Sequence, residues 1–137
     1  WSTYGGNPLA MSVGLEVLKI ISSKTFLNEV DKTARYFWKN LKKLENSSNI
    51  ISEVRGAGLL LGIKTNISNI DFSEKLKKNK LLNVPAADNT VRLAPPLIVS
   101  YKEIDKSLTI IKKSLKELSR WSILLILIVL KKNKLMK

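Results

Sequence analysis

Residues 50–64, Ile50-Ile51-Ser52-Glu53-Val54-Arg55-Gly56-Ala57-Gly58-Leu59-Leu60-Leu61-Gly62-Ile63-Lys64, decide the fold class of this 137-residue chain. Two apolar runs, at 50–55 and 59–64, flank the short turn Gly56-Ala57-Gly58, which is the pattern of a β-hairpin. The glycines also invite a dinucleotide-binding reading, and it fails twice. The third Gly comes one residue late for G-x-G-x-x-G, and a strand follows where a helix should open. They serve a tight turn and a close backbone approach instead.

On the N-terminal side the period is helical. Asn7 followed by Pro8 marks a helix start, with Asn as cap and Pro at the first helical position. Leu9, Val13, Val17 and Ile20 follow at helical spacing until Ser22-Ser23 ends the run. A second helix carries the stripe Leu27, Val30, Ala34, Phe37, Leu41 and Leu44, with a Lys-rich opposite face. On the C-terminal side, Phe72 and Leu76 mark a short helix closed by Asn79. Short strands are expected at 81–84 and 91–93, joined through a turn at Asp88-Asn89 and stopped by Pro95-Pro96. Ser100-Tyr101-Lys102-Glu103 is a capping box, opening a helix whose buried stripe is Ile104, Leu108, Ile111, Leu115 and Leu118.

A length of 137 residues suits one compact domain of ordinary size. A hydrophobic fraction of 45% rules out wholesale disorder. The chain has no Cys and no His, so disulfides, thiolate metal sites, a cysteine nucleophile and any Ser-His-Asp hydrolase are excluded. Chemistry is left to Lys, Asp, Glu, Tyr or a bound cofactor. The net charge is +13, but only four of the 24 basic residues are Arg. Sequence-specific nucleic-acid surfaces favour the planar fork of Arg, so scattered Lys is read as solvated surface, with no nucleic-acid partner expected. Residues 1–10 lack the basic and apolar regions of a secretory signal.

Residues 121–130 are almost unbroken apolar, and Lys131, Lys132, Lys134 and Lys137 follow. A helix of that length covers roughly 15 Å, about half the hydrocarbon thickness of a bilayer. It shows one face all round, unlike an amphipathic anchor. No membrane role is expected of it, and it is read as a tail not designed for this domain.

Two places suit anions. Arg92 lies in a short strand between Val91 and Leu93. A cation among apolar neighbours must find an acidic partner or keep its guanidinium in a cleft. It is therefore either paired with a nearby Asp or Glu, or free to clamp a substrate carboxylate bidentately. Ser2 and Thr3 place hydroxyls in a Gly-containing loop just before a helix N-terminus, where free backbone N–H groups and the helix dipole favour negative charge.

The stretch Ser2-Thr3-Tyr4-Gly5-Gly6-Asn7-Pro8-Leu9-Ala10 resembles the loop that follows the catalytic-lysine region in class III pyridoxal-phosphate aminotransferases. Three more segments match in the same order. They are Glu53-Val54-Arg55-Gly56-Ala57-Gly58-Leu59, Val84-Pro85-Ala86-Ala87-Asp88-Asn89 and Val91-Arg92-Leu93-Ala94-Pro95-Pro96-Leu97. The last two are more similar to the acetylornithine branch than to the 4-aminobutyrate branch. The resemblance covers residues 2 to about 118, which correspond to the last third of a family member.

It implies an α/β protein of fold type I. The C-terminal helices of the large coenzyme domain (1–46) would be followed by the small α+β domain (47–118) and an atypical apolar and basic tail (119–137). It implies that Ser2 and Thr3 contact the phosphate of pyridoxal 5'-phosphate across a homodimer, and that Arg92 binds the substrate's α-carboxylate. It implies transfer of an amino group from N-acetylornithine to 2-oxoglutarate, in arginine biosynthesis in the cytoplasm, with no metal. The family's Schiff-base lysine, and the carboxylate that pairs with the pyridine nitrogen, lie upstream of this loop. No catalytic residue is therefore assigned here, and the polypeptide alone is expected not to transaminate. Trp1 stands where the family has Gly, and residues after about 119 have no counterpart, as expected of a chain broken at each end. The rival expectation is a non-catalytic basic binding module or a membrane-surface protein.

Overall fold

In a computed structural model that describes the backbone of residues 5–134 and the side chains of residues 5–119, the expected hairpin stands at the centre. Strand β1 (Ile51–Ala57) pairs antiparallel with β2 (Leu60–Thr65). The turn lies two residues later than the sequence suggests, at Gly58-Leu59, because Ala57 and Leu60 still pair. Gly56 explains the shift: it remains in the strand with φ of 139°. A Cβ there would lie 2.1 Å from the carbonyl oxygen of Leu60, so only glycine fits this approach.

The helix starts follow their caps. In α1 (Pro8–Ile21) the Asn7 side chain accepts from the N–H groups of Leu9 and Ala10, and Ser22 ends the helix. In α2 (Lys24–Ser47) the Ser23 hydroxyl accepts from Phe26 N–H. Ser68 does the same for Asp71 at the start of α3 (Asn69–Lys78). The capping box opens α4 (Tyr101–Lys134): Glu103 accepts Ser100 N–H at 2.8 Å, and Ser100 Oγ accepts Glu103 N–H at 3.3 Å. The backbone of α4 is continuous through the start of the expected tail at 119. The side chains of that tail lie outside the described residues.

The expected strand at 81–84 is displaced to β3 (Val84–Ala86), which forms a hairpin with β4 (Thr90–Leu93). Residues 80 and 81 are committed to closing α3. Lys80 adopts φ of 68°, its N–H bonds the carbonyl of Lys77, and Leu81 N–H bonds the carbonyl of Leu76. That is a Schellman closure, with Lys in the place glycine usually takes. The sheet order is β1-β2-β4-β3, antiparallel throughout.

One face of the sheet carries Val54, Leu61, Ile63, Val91 and Leu93 into the core, under Phe37 and Leu41 of α2, Phe72 and Leu76 of α3, and Ile104 and Ile111 of α4. This core runs across position 46/47, because α2 packs on the sheet. The other face carries Arg55, Lys64 and Arg92, half-buried to exposed. Helix α1 has no buried residue.

Candidate functional site

Strand neighbours point to opposite faces. With Val91 and Leu93 buried, Arg92 must turn away from the core, and it is exposed. Its apolar sequence neighbours therefore do not surround its charge. Among the described residues no hydrogen bond or ion pair engages the Arg92 guanidinium. Of the two possibilities open from sequence, pairing with a nearby acid is not what the structure has.

The register sets the surroundings. Arg55, Gly62, Arg92 and Val84 are opposite one another on β1, β2, β4 and β3. A hollow of about 270 Å³ is lined by Arg55, Gly56, Gly62, Ala86, Thr90 and Arg92, among others. Gly62 forms part of its floor, where a Cβ would lie 3.0 Å from Thr90 Cγ2.

Two acids belong to this face: Glu53, opposite Lys64 in the β1–β2 register, makes no ion pair among the described residues, whereas Asp88 is already engaged. Arg55 Nη1 lies 2.8 Å from Asp88 Oδ2, and Lys64 Nζ lies 2.8 Å from Oδ1. Arg55 Nη2 also donates to Thr90 Oγ1 at 3.0 Å. The hydrogen bonds from Lys64 and then Arg55 hold the Asp88 carboxyl below its ordinary range. Asp88 reaches this position through the turn between β3 and β4, in which Asp88 and Asn89 have φ of 56° and 49°. Short polar side chains tolerate that region best. The Asn89 amide then donates to the carbonyls of Thr65 and Ile67, both at 2.6 Å, anchoring the turn to the end of β2.

Arg55, Lys64, Asp88 and Gly62 were not singled out from the sequence as site residues. The signal available was the turn pair Asp88-Asn89. Its meaning depends on β4 lying beside β2, which sequence order does not reveal.

Ser2 and Thr3 lie outside the described residues. The helix they precede offers less to an anion than the sequence suggests. Pro8 has no N–H, Asn7 takes the N–H groups of Leu9 and Ala10, and Met11 N–H bonds the Asn7 carbonyl. The first turn of α1 is thus already satisfied, and an anion in this loop would rest on the loop's own hydroxyls and N–H groups.

Comparison with known proteins decides the family. The family described as Aminotransferase class-III matches residues 1–115. The chain belongs to this family. It is 42% identical to the acetylornithine aminotransferase of Agrobacterium fabrum over 108 residues, covering 78% of this chain and 27% of that relative. It is 40% identical to the ornithine aminotransferase of Plasmodium falciparum over 118 residues, covering 84% of this chain and 28% of that relative. The crystal structure of acetylornithine aminotransferase from Elizabethkingia anophelis matches with a TM-score of 0.75 at 33% identity, covering 85% of this chain and 32% of that one. The chain spans less than a third of the length of these class III aminotransferases. Its mixed helix-and-sheet architecture is that of the matching part of such an enzyme, as expected from sequence.

Pyridoxal phosphate, the coenzyme of this family, needs a lysine to hold it and an anion grip for its phosphate. The hollow at Arg92 is lined by no lysine. A second hollow, of about 440 Å³, is walled mainly by apolar residues including Leu93, Pro95, Val99 and Ile104. Lys80 also lines it, but no arginine joins it as a phosphate grip, and its Glu103 is committed to the cap of α4. The described residues fit a carboxylate and do not enclose the coenzyme. Among them there is also no cluster of acids placed to hold a metal, and no helix long and apolar enough to cross a membrane.

Proposed function

We propose that this chain supplies the substrate-carboxylate grip of an aminotransferase subunit that passes an amino group from N-acetylornithine to 2-oxoglutarate, a step of arginine biosynthesis. The observation carrying this reading is Arg92: exposed, without an acidic partner among the described residues, beside a glycine floor, in a class III aminotransferase sequence. Its guanidinium offers two parallel N–H donors to the α-carboxylate, which fixes the substrate's orientation as well as its affinity.

When bound, pyridoxal phosphate supplies the electron sink for the transfer. Ser2 and Thr3 are proposed to hold its phosphate across a homodimer in the cytoplasm. Residues 1–46 then end the large coenzyme domain, 47–118 form the small α+β domain, and 119–137 form a tail. Helix α2 is proposed to join the two domains; its buried face packs on the sheet. Alone, the chain does not transaminate, since none of its lysines occupies the family's coenzyme-bonding position. Relatives of comparable identity are acetylornithine and ornithine aminotransferases, so ornithine is the competing donor.

A chimera tests this reading: the chain replaces the corresponding stretch of the Agrobacterium fabrum relative. The chimera is expected to transaminate N-acetylornithine in preference to ornithine. In it, Arg92→Ala is expected to raise KM for donor and acceptor at least tenfold while the coenzyme's absorbance is retained. Thr3→Ala is expected instead to loosen the coenzyme. Equal loss of substrate and coenzyme binding in Arg92→Ala would overturn the clamp.

A further inference from the structure

The outer face of the sheet carries three cations from three strands, Arg55 on β1, Lys64 on β2 and Arg92 on β4. Arg55 and Arg92 flank Gly62 in one cross-strand row and line the same hollow. Strands lie about 4.8 Å apart, so these two arginines stem from backbones about 10 Å apart, a gap two long side chains can close over a small dianion. They do not both offer themselves. Asp88 takes Arg55 on Oδ2 and Lys64 on both oxygens, at 2.8 Å to Oδ1 and 3.0 Å to Oδ2, and Thr90 takes a second nitrogen of Arg55.

We infer that Asp88 is a specificity-determining residue of this face. By occupying Arg55 and Lys64 it leaves Arg92 as the face's free guanidinium, so that the hollow takes one carboxylate instead of spreading a dicarboxylate over two arginines. The inference rests on the reading of Arg92 as a carboxylate grip. The diacid 2-oxoglutarate then binds here through one end, and its other carboxylate must be held by residues off this face. Asp88 touches no ligand itself; it acts by positioning Arg55 and Lys64.

The test follows the arginine side-chain N–H signals of the 137-residue chain by NMR during titration with butyrate and, separately, glutarate. In the natural sequence the Arg92 signal is expected to move with both anions and the Arg55 signal with neither. The glutarate preference should stay near the roughly twofold statistical factor of its two identical ends. Asp88→Asn keeps a residue suited to the turn. It is expected to make Arg55 respond and to raise the preference for glutarate about fivefold, the upper range for an exposed ion pair. Asp71→Asn on α3 adds the same charge elsewhere and is expected to leave the preference unchanged. An Arg55 signal that moves in the natural sequence, or an unchanged preference in Asp88→Asn, would overturn the inference.

If Asp88→Asn does not fold, Arg55→Gln decides. It should leave both affinities within about twofold, and a selective loss of glutarate binding would refute the role of Asp88. An Arg92 signal indifferent to both anions would instead defeat the carboxylate-grip reading. The response of Arg55 in Asp88→Asn would still judge Asp88 on its own.

Discussion

Helices α1 and α2 look alike as sequence and behave differently in space. Each opens on a capping side chain and carries an apolar stripe at helical spacing. In α2 the middle of the stripe is buried, with Ala34, Phe37 and Leu41 at 3% exposure or less, while its first member, Leu27, is exposed. In α1 nothing is buried, and Leu9 is 76% exposed. Periodicity reports that a helix has an apolar face; it does not report what covers it. For α2 the cover is the sheet of this chain. For α1 no cover exists among the described residues, in a chain whose match spans less than a third of its relatives' length.

The largest predicted effect would break this contrast or keep it. Phe37→Ala should cost about 3–5 kcal/mol in urea unfolding of the 137-residue chain, whereas Val17→Ala should stay within about 0.5 kcal/mol. Similar costs for both would mean that α1 is packed in solution, for example against a second copy. Glycines sharpen the same contrast at a smaller scale. Gly56→Ala should cost about 1–3 kcal/mol, because its φ and the Leu60 carbonyl both oppose a side chain. Gly14, inside α1 with nothing within 4 Å of its missing Cβ, should gain up to about 1 kcal/mol on replacement by Ala.

What could be read in the sequence divides along the same line. Local signals were legible: Asn7 with Pro8, the capping box at Ser100 and Glu103, and the stripes of α2 and α4 all depend on residues within a turn or two of one another. The alternation of Val91 and Leu93 also carried the outward direction of Arg92, although the expectation from sequence set its charge among those apolar neighbours. Non-local facts were not legible. The strand at 81–84 slipped because closing α3 had first claim on residues 80 and 81. The freedom of Arg92 depends on Asp88 choosing Arg55 and Lys64, and that choice exists only once β4 lies between β2 and β3.

The two caps also differ in their response to acid. Asn7 holds α1 without a titratable group, whereas Glu103 holds α4 as a carboxylate. Ser100, first through its backbone N–H and then its hydroxyl, keeps the Glu103 carboxyl below its ordinary 4.5. Asn79 and Lys75 lower Glu117 of the same helix in the same direction. A carboxyl lowered in the folded state stabilises the fold above its unfolded value and loses that contribution as pH falls through the folded one. Unfolding midpoints should therefore hold above about pH 5 and fall below about pH 4. Ser100→Ala should remove about 1 kcal/mol at neutral pH and flatten part of that acid dependence. A pH profile identical to that of the natural sequence would mean that the box does not hold α4.

The smallest predicted change separates a residue kept for binding from one kept for the fold. Arg92 is exposed and without an ion-pair partner among the described residues, so Arg92→Ala removes no ion pair there and opens no cavity. Its unfolding free energy should stay within about 0.5 kcal/mol of the natural chain. Arg55 lines the same hollow, but it ties β1 to the β3–β4 turn through Asp88 and to β4 through Thr90, so Arg55→Ala should cost measurably more. Should the order reverse, with Arg92→Ala the more destabilising, its guanidinium would be holding the sheet together, and an unspent charge on this face could no longer be attributed to a ligand.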